Sequence, residues 1–275
     1  MLKNMNKLLL VIPFIALLWS CGKSPKNDLT TATDTLSYAN KSYEKHSKTC
    51  VSQDSLCATV KFEYPEFQSD TFNTIIKNEI INVYHNDEDR TKTRPKTFED
   101  LAKPFVEDYE MKLAEGKSFV NKANAQNEGG FLATPWNMEA YTDVQRQTDK
   151  YIMLHTNTNW FMGGAHPISM EYYYIYDRKN FKRITLDDLF KPNYDKKLIL
   201  IAENIFRKQE KLKPADKLTD ENGYFFEKGR FILNDNFTLT QTGIKFMYNV
   251  YEIKPYAAGI TALEIPYSDV KDILK

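Results

Sequence analysis

Histidine is scarce in this 275-residue chain, cysteine is scarcer, and neither sign of charge is in excess. The four histidines, His46, His85, His155 and His166, each stand alone, without the second imidazole at helical spacing that a histidine-based metal site needs. Lys and Arg together number 37, as do Asp and Glu, and the two signs are interspersed. The basic stripe that grips nucleic acid is therefore missing, and no nucleic-acid partner is expected. The N-terminal apolar stretch, Leu8 to Leu18, is about half the ~20 residues a spanning helix needs. Phosphate loop, dinucleotide fingerprint, nucleophile elbow and zinc spacing are all missing, so no cofactor or metal is expected. Only ten glycines stand against seventeen Tyr and seventeen Phe, a balance that favours strands, because aromatics fit pleated, half-buried surfaces. A hydrophobic content of 42% is enough for a real core.

What is present begins with the N-terminus. Lys3 and Lys7 precede the apolar stretch, which runs to Ser20 and Cys21. A basic start, a short apolar run and a small residue before the cleavage point form a secretory signal, here residues 1–20. The Leu18-Trp19-Ser20-Cys21 stretch resembles a bacterial lipobox, making Cys21 the expected lipidation site and new N-terminus. Acyl chains contribute roughly 0.8 kcal/mol per buried CH₂, so several of them hold a protein on a membrane without a spanning helix. Gly-Lys-Ser-Pro follows Cys21 without an acidic cluster, which favours an outer-membrane anchor facing the periplasm. Residues 21–49, rich in Ser, Thr, Lys and Asn, read as a flexible tether. Setting Cys21 aside leaves Cys50 and Cys57, an even pair in an oxidising compartment, and a disulfide is expected between them.

Beyond the tether, Cys57 to Phe67 alternates as a strand, and an amphipathic helix follows with Ser69 or Asp70 placed to cap it. Thr97 and Asp100 stand in capping-box positions before a second helix, in which Pro104 predicts a kink or a break. Asn137 to Phe161 reads as a hairpin turning near Gln147–Asp149, and Ile168 to Leu186 as another turning around Arg178–Asn180. A short turn at Leu186, a third helix through Leu198 and Phe206, and strands near 229–233, 237–239, 244–250 and 262–265 complete the pattern. Ser268 is placed to cap a last short helix. Helices in blocks between hairpins give an α+β class: antiparallel sheets with helices on one face, in two subdomains, 50–162 and 163–275.

Three stretches invite chemistry. Thr97-Phe98-Glu99-Asp100 is similar to the opening of a polysaccharide-deacetylase metal motif, but the histidine pair that motif needs is missing, and helix capping explains it. Tyr172, Tyr174 and Tyr176 share one strand face and, with Trp160 and His166, are ligand-binding candidates; the competing reading packs the tyrosines into the core. Gly163-Gly164-Ala165-His166-Pro167 reads as a structural turn, with Gly163 or Gly164 at positive φ and Pro167 holding His166 extended. A Ser-His-Asp triad needs no adjacency in sequence, yet nothing singles out a nucleophile, and no catalytic residue is assigned.

These motifs also carry a family resemblance. GGAHP (163–167), YYYIYD (172–177), ITLDDLF (184–190), FTLTQTGIKFMYNVYEIKPYAAG (237–259) and EIPYSDV (264–270) run in the order of an exported domain of unknown function. That domain occurs in the lysozyme-binding anti-sigma-V factor and beside the catalytic domain of a peptidoglycan deacetylase. The preceding ATVKFEYPEF (58–67) and NTIIKNEIINVY (73–84) are similar to the smaller domain that accompanies it. The resemblance implies a two-part α+β ectodomain without catalytic residues. The sigma-binding segment and the deacetylase catalytic domain have no counterpart here. The expectation is a non-enzymatic envelope lipoprotein binding a lysozyme-like protein or a peptidoglycan fragment. The alternatives are a cell-wall glycan hydrolase or transferase using His166, and a structural accessory of an envelope complex.

Overall fold

The computed structural model describes residues 35–51, 56–85, 93–123 and 134–275. The expected signal segment and the expected lipidation site Cys21 lie outside them. Five strands form the larger sheet in chain order: β1 (Tyr38–His46), β2 (Ala58–Phe67), β3 (Trp136–Gln147), β4 (Tyr151–Phe161) and β5 (Ile168–Asp177). All neighbours are antiparallel except β2 and β3, which run parallel because α1 (Asp70–Tyr84) and α2 (Phe98–Ala123) make the crossover between them. A smaller antiparallel sheet joins β6 (Phe237–Leu239), β7 (Gly243–Tyr248) and β8 (Thr261–Pro266). Three further helices, α3 (Leu186–Leu189), α4 (Asp195–Gln209) and α5 (Tyr267–Val270), accompany it. The α+β class with two subdomains is thus the observed one.

Helix starts follow the local chemistry. Phe72 N–H donates to Ser69 Oγ at 3.3 Å, and Thr97 and Asp100 form the reciprocal box, Asp100 N–H to Thr97 Oγ1 at 3.1 Å and Thr97 N–H to Asp100 Oδ2 at 3.0 Å. Pro104 does not break α2. Its ring removes one donor, but Leu101, Ala102, Phe105 and Val106 are buried around it and hold the helix in register. The last helix starts after Pro266 instead of at Ser268, which lies inside it.

Strand alternation divides the interior. Val60, Phe62, Met138, Ala140, Ile152, Leu154, Tyr174 and Tyr176 point to α1 and α2, meeting Phe72, Ile76, Phe98 and Phe105. Met153 and Ile175, of opposite parity, point to the other face and join Phe206, Phe246, Leu263 and Ile265 of the C-terminal half. Strand β5 therefore serves both cores. The seam between the halves falls after Asp177, not at 162/163, because β5 is hydrogen-bonded into the large sheet. Three other expectations are corrected. Residues 38–46, assigned to the tether, form edge strand β1, paired along its whole length with β2. Residues 229–233 are not a strand; Gly229 ends a 3₁₀ turn, and the irregular stretch after it brings Phe231 into the second core. After Asp177 the chain turns at 178–180 and returns only one isolated bridge, Tyr176 with Arg183.

Cys50 and Cys57 are disulfide-bonded, with Cα atoms 5.0 Å apart, closing the connection between β1 and β2. A loop of this size removes about 2–3 kcal/mol of chain entropy from the unfolded state.

Side-chain amides finish the backbone ladders where strands lack partners. Along the outer edge of β5, Glu171 N–H donates to Asn249 Oδ1 at 2.8 Å, while Glu171 C=O accepts from Asn249 Nδ2 and Asn236 Nδ2 at 3.1 and 2.7 Å. Tyr173 N–H donates to Asn236 Oδ1 at 2.9 Å. At β2, Asn73 gives and takes one bond with Phe67, both 2.8 Å. At the end of β3, Gln147 does the same with Leu36, at 2.8 and 2.9 Å. Losing one such clamp leaves buried polar groups unpaired, at roughly 1–3 kcal/mol. Asn236→Ala is therefore expected to lower unfolding free energy by about that amount and to speed amide exchange at Tyr173. Denaturant melts and hydrogen exchange check this; wild-type protection at Tyr173 in the variant would contradict the clamp.

Candidate functional site

The connection from β4 to β5 reverses within residues 162–167. Gly163 and Gly164 adopt φ of 93° and 107°, the left-handed region that side chains resist, as the sequence suggested. The turn delivers His166 onto the segment after β7. There Tyr256, in a 3₁₀ turn, stacks on the imidazole with centroids 3.6 Å apart and planes inclined by 16°. Tyr251 completes the group, 5.5 Å from the Tyr256 ring. Its backbone sits at φ 66°, a strained conformation for a bulky residue.

Hydrogen bonds set the roles of the ring nitrogens. A carbonyl only accepts, so His166 Nδ1 carries the proton toward Pro167 O at 3.1 Å. Nε2 then presents its lone pair to the Tyr251 hydroxyl at 3.4 Å. The Tyr256 hydroxyl also donates to Pro167 O, at 3.0 Å. Among the described residues no carboxylate reaches His166. The imidazole thus lacks the orienting acid of a relay and forms one end of an aromatic group with Tyr256 in the middle and Tyr251, half exposed, at the other end. Trp160, at the end of β4, and Met162, opening the turn, are exposed nearby in sequence.

The tyrosine candidates on β5 fall elsewhere. Tyr174 and Tyr176 are buried against the helices, Tyr176 donating to Glu79 at 2.7 Å and Tyr174 lying 4.4 Å beneath the Arg183 guanidinium. Burial pushes both hydroxyls well above the usual tyrosine range. Tyr172 packs against the same core, its hydroxyl on Met170 Sδ. The face is core, because only that parity of β5 faces α1, and a ligand cannot stack on it.

A second polar group was not legible in the sequence. On the opposite face of the large sheet, His155 on β4 lies between Asp143 on β3 and Glu171 on β5. Nδ1 is 3.0 Å from Asp143 Oδ1, Nε2 contacts Glu171 Oε2, and Tyr173 stacks on the ring at 4.8 Å. Asn157 donates to Glu171 Oε1 at 3.0 Å. Strand register could have found it, since Asp143 pairs with His155 directly, but register is not visible in a single sequence. The Asp143 hydrogen bond, opposed by burial and helped by Glu171, raises the His155 pKa above 6.5. Both nitrogens are engaged, so the ring is a charged brace across three strands and not a free base. Among the described residues no group of three or more His, Cys, Asp or Glu is arranged to hold a metal ion.

Because the folded-state pKa is raised, the brace stabilises fully below the unfolded value of 6.5 and fades as pH climbs through the folded one. The melting-temperature gap between wild type and His155→Gln is expected to be widest near pH 5.5 and to shrink toward pH 9 (roughly one unit below 6.5 to well above it). A gap that widens with pH would refute the charged brace.

Comparisons with known proteins match this architecture in two parts. Residues 51–169 match the family model of the deacetylase PdaC, and residues 187–268 match that of a protein of unknown function, DUF3298. A solved DUF3298-family structure from Bacteroides fragilis aligns with a TM-score of 0.65 at 21% identity, covering 89% of this chain and 95% of that one. Another, from Pseudomonas aeruginosa, aligns at 0.63 and 20% identity, covering 88% and 95%. No curated protein matches. At these identities the structural likeness speaks for the fold: the chain has a segment that matches the PdaC model followed by one that matches the DUF3298 model, on a fold similar to that of solved DUF3298-family structures.

Proposed function

We propose that this protein is a lipid-anchored, non-catalytic envelope ectodomain that binds a lysozyme-like protein through the His166–Tyr251–Tyr256 group. The observation that carries the reading is the strained, half-exposed Tyr251 at the outer end of that stack. A bulky residue held at φ 66° serves no packing purpose in the cores and costs of order 1–3 kcal/mol, the pattern of a site kept for recognition. Tyrosine is a favoured anchor in protein interfaces, giving large rigid contact area and a hydroxyl. His166, with one nitrogen on a carbonyl and the other facing a hydroxyl, supports binding over acid–base chemistry.

The anchor rests on the signal and Cys21. Among the described residues no helix is long and apolar enough to cross a membrane. The lysozyme class comes from the resemblance to the anti-sigma-V ectodomain and the PdaC-type segment. Cys21→Ala is expected to move the protein out of the membrane fraction or leave an uncleaved precursor; unchanged mass and fractionation would end the lipoprotein reading.

For binding, the purified chain should retain a lysozyme with a Kd in the micromolar range or tighter, about −8 kcal/mol or better. Tyr251→Gly removes the ring while relieving the strained backbone, so it should melt at or above the wild-type temperature and bind at least tenfold more weakly, about 1.4 kcal/mol. Calorimetry without heat across several lysozyme types would sink the proposal, as would undiminished binding by Tyr251→Gly.

A further inference from the structure

The large sheet is split. Strands β2 and β3 pair only as far as Glu63 with Tyr141, although both continue for several residues. The next residues of β2 explain the break. Backbone groups alternate sides along a strand, and Phe67 turns its N–H and C=O away from β1 to Asn73. Pro65, two residues earlier, therefore turns toward β3 the edge on which it has no N–H to give. A proline is tolerated inside a sheet only where the ladder stops. Beyond the split, the Leu36–Gln147 clamp closes the far side.

The split opens a cleft of about 400 Å³, within the roughly 300–1,000 Å³ of small-molecule sites. Asn40, Lys41 and Ser42 of β1 form one wall, and Tyr141 and Asp143 of β3 the other, with Glu63 between them. Tyr64 and Thr142, which belong to the buried face, underlie it. The charges are already matched: Glu63 is paired with Lys61 at 2.6 Å, and Asp143 with His155 at 3.0 Å. Each carboxylate keeps a second oxygen without a protein partner among the described residues. Lys41 also lines the cleft, its ammonium paired with Glu66 at 3.4 Å, so an amide, a hydroxyl, two paired carboxylates, a paired lysine and a tyrosine ring offer several directed hydrogen-bonding groups and one stacking face without an unpaired charge.

We infer that this cleft is a binding site for a neutral saccharide, with Tyr141 as the stacking platform and Glu63, Asp143 and Asn40 receiving or sharing the hydroxyl hydrogens. Anionic sugars meet two carboxylates against one lysine already held by Glu66, and are disfavoured; sugar hydroxyls suit paired carboxylates that accept without demanding a cation. His155 is a positioning residue here, fixing Asp143 through Nδ1. The site is separate from the aromatic stack at His166 and goes beyond the protein-binding reading, so either can fail without the other.

The test titrates the full chain, in detergent, with tri-N-acetylchitotriose, maltotriose and a trimeric uronic acid, followed by calorimetry. At least one neutral trisaccharide is expected to saturate, and the uronic acid to bind at least tenfold more weakly. Tyr141→Ala and Glu63→Gln should each weaken the neutral sugar tenfold or more, while Tyr251→Gly leaves it unchanged. Should Tyr141→Ala melt poorly, Glu63→Gln, an isosteric change at an exposed side chain, decides alone. No saturation with either neutral sugar, binding insensitive to Glu63→Gln, or equal binding of the uronic acid would each overturn the site.

Discussion

Backbone groups left over at the ends and edges of the ladders are the constraint on which this architecture turns. A five-stranded sheet with one split and one covered edge exposes N–H and C=O groups that burial cannot tolerate unpaired. Primary amides are suited to the task, since one side chain both donates and accepts and so replaces a missing strand residue. Asn236 and Asn249 do this on β5, Asn73 on β2 and Gln147 beside β3. The first two come from the C-terminal half, so the halves are joined by directed bonds as well as by the apolar contact of Met153 and Ile175 with the second core.

This arrangement gives β5 an unusual position. All but its first two residues fall between the two matched segments, one ending at 169 and the other starting at 187. Physically it belongs to both. Tyr174 and Tyr176 fill the helical core, Ile175 fills the other, and its outer edge is held by the asparagines. Glu171 on the same strand braces His155, so the polar face of the large sheet is tied to the seam.

Legibility in the sequence followed the range of the interaction. Capping at Ser69 and Thr97, the paired cysteines and the positive φ of Gly163 and Gly164 are decided within a few residues, and each could be read directly. Parity on β5 correctly separated Tyr174 and Tyr176 from Ile175, but whether that face was core or ligand platform depended on α1 and α2 covering it. Strand β1 was missed because its nine residues are polar and exposed; its order comes from pairing with β2, not from burial. The His155 brace and the His166–Tyr256 stack join residues brought together by register and by the packing of the two halves. The motifs holding His166 and Tyr256 were both conspicuous, yet nothing in either announced the other.

Strand β1 also bears on how the protein behaves in company. It is the terminal strand of its sheet, and such an edge is a template on which another chain can add a strand. An open edge of this kind invites copies of the chain to polymerise wherever they meet. Lys41, Glu44 and Lys45 line β1, and each is drawn into ion pairs with β2 or with Glu99 on α2. A second β1 docking alongside would have to strip water from these charges and set like against like. The polar run that concealed this strand thus keeps the sheet from growing between neighbours.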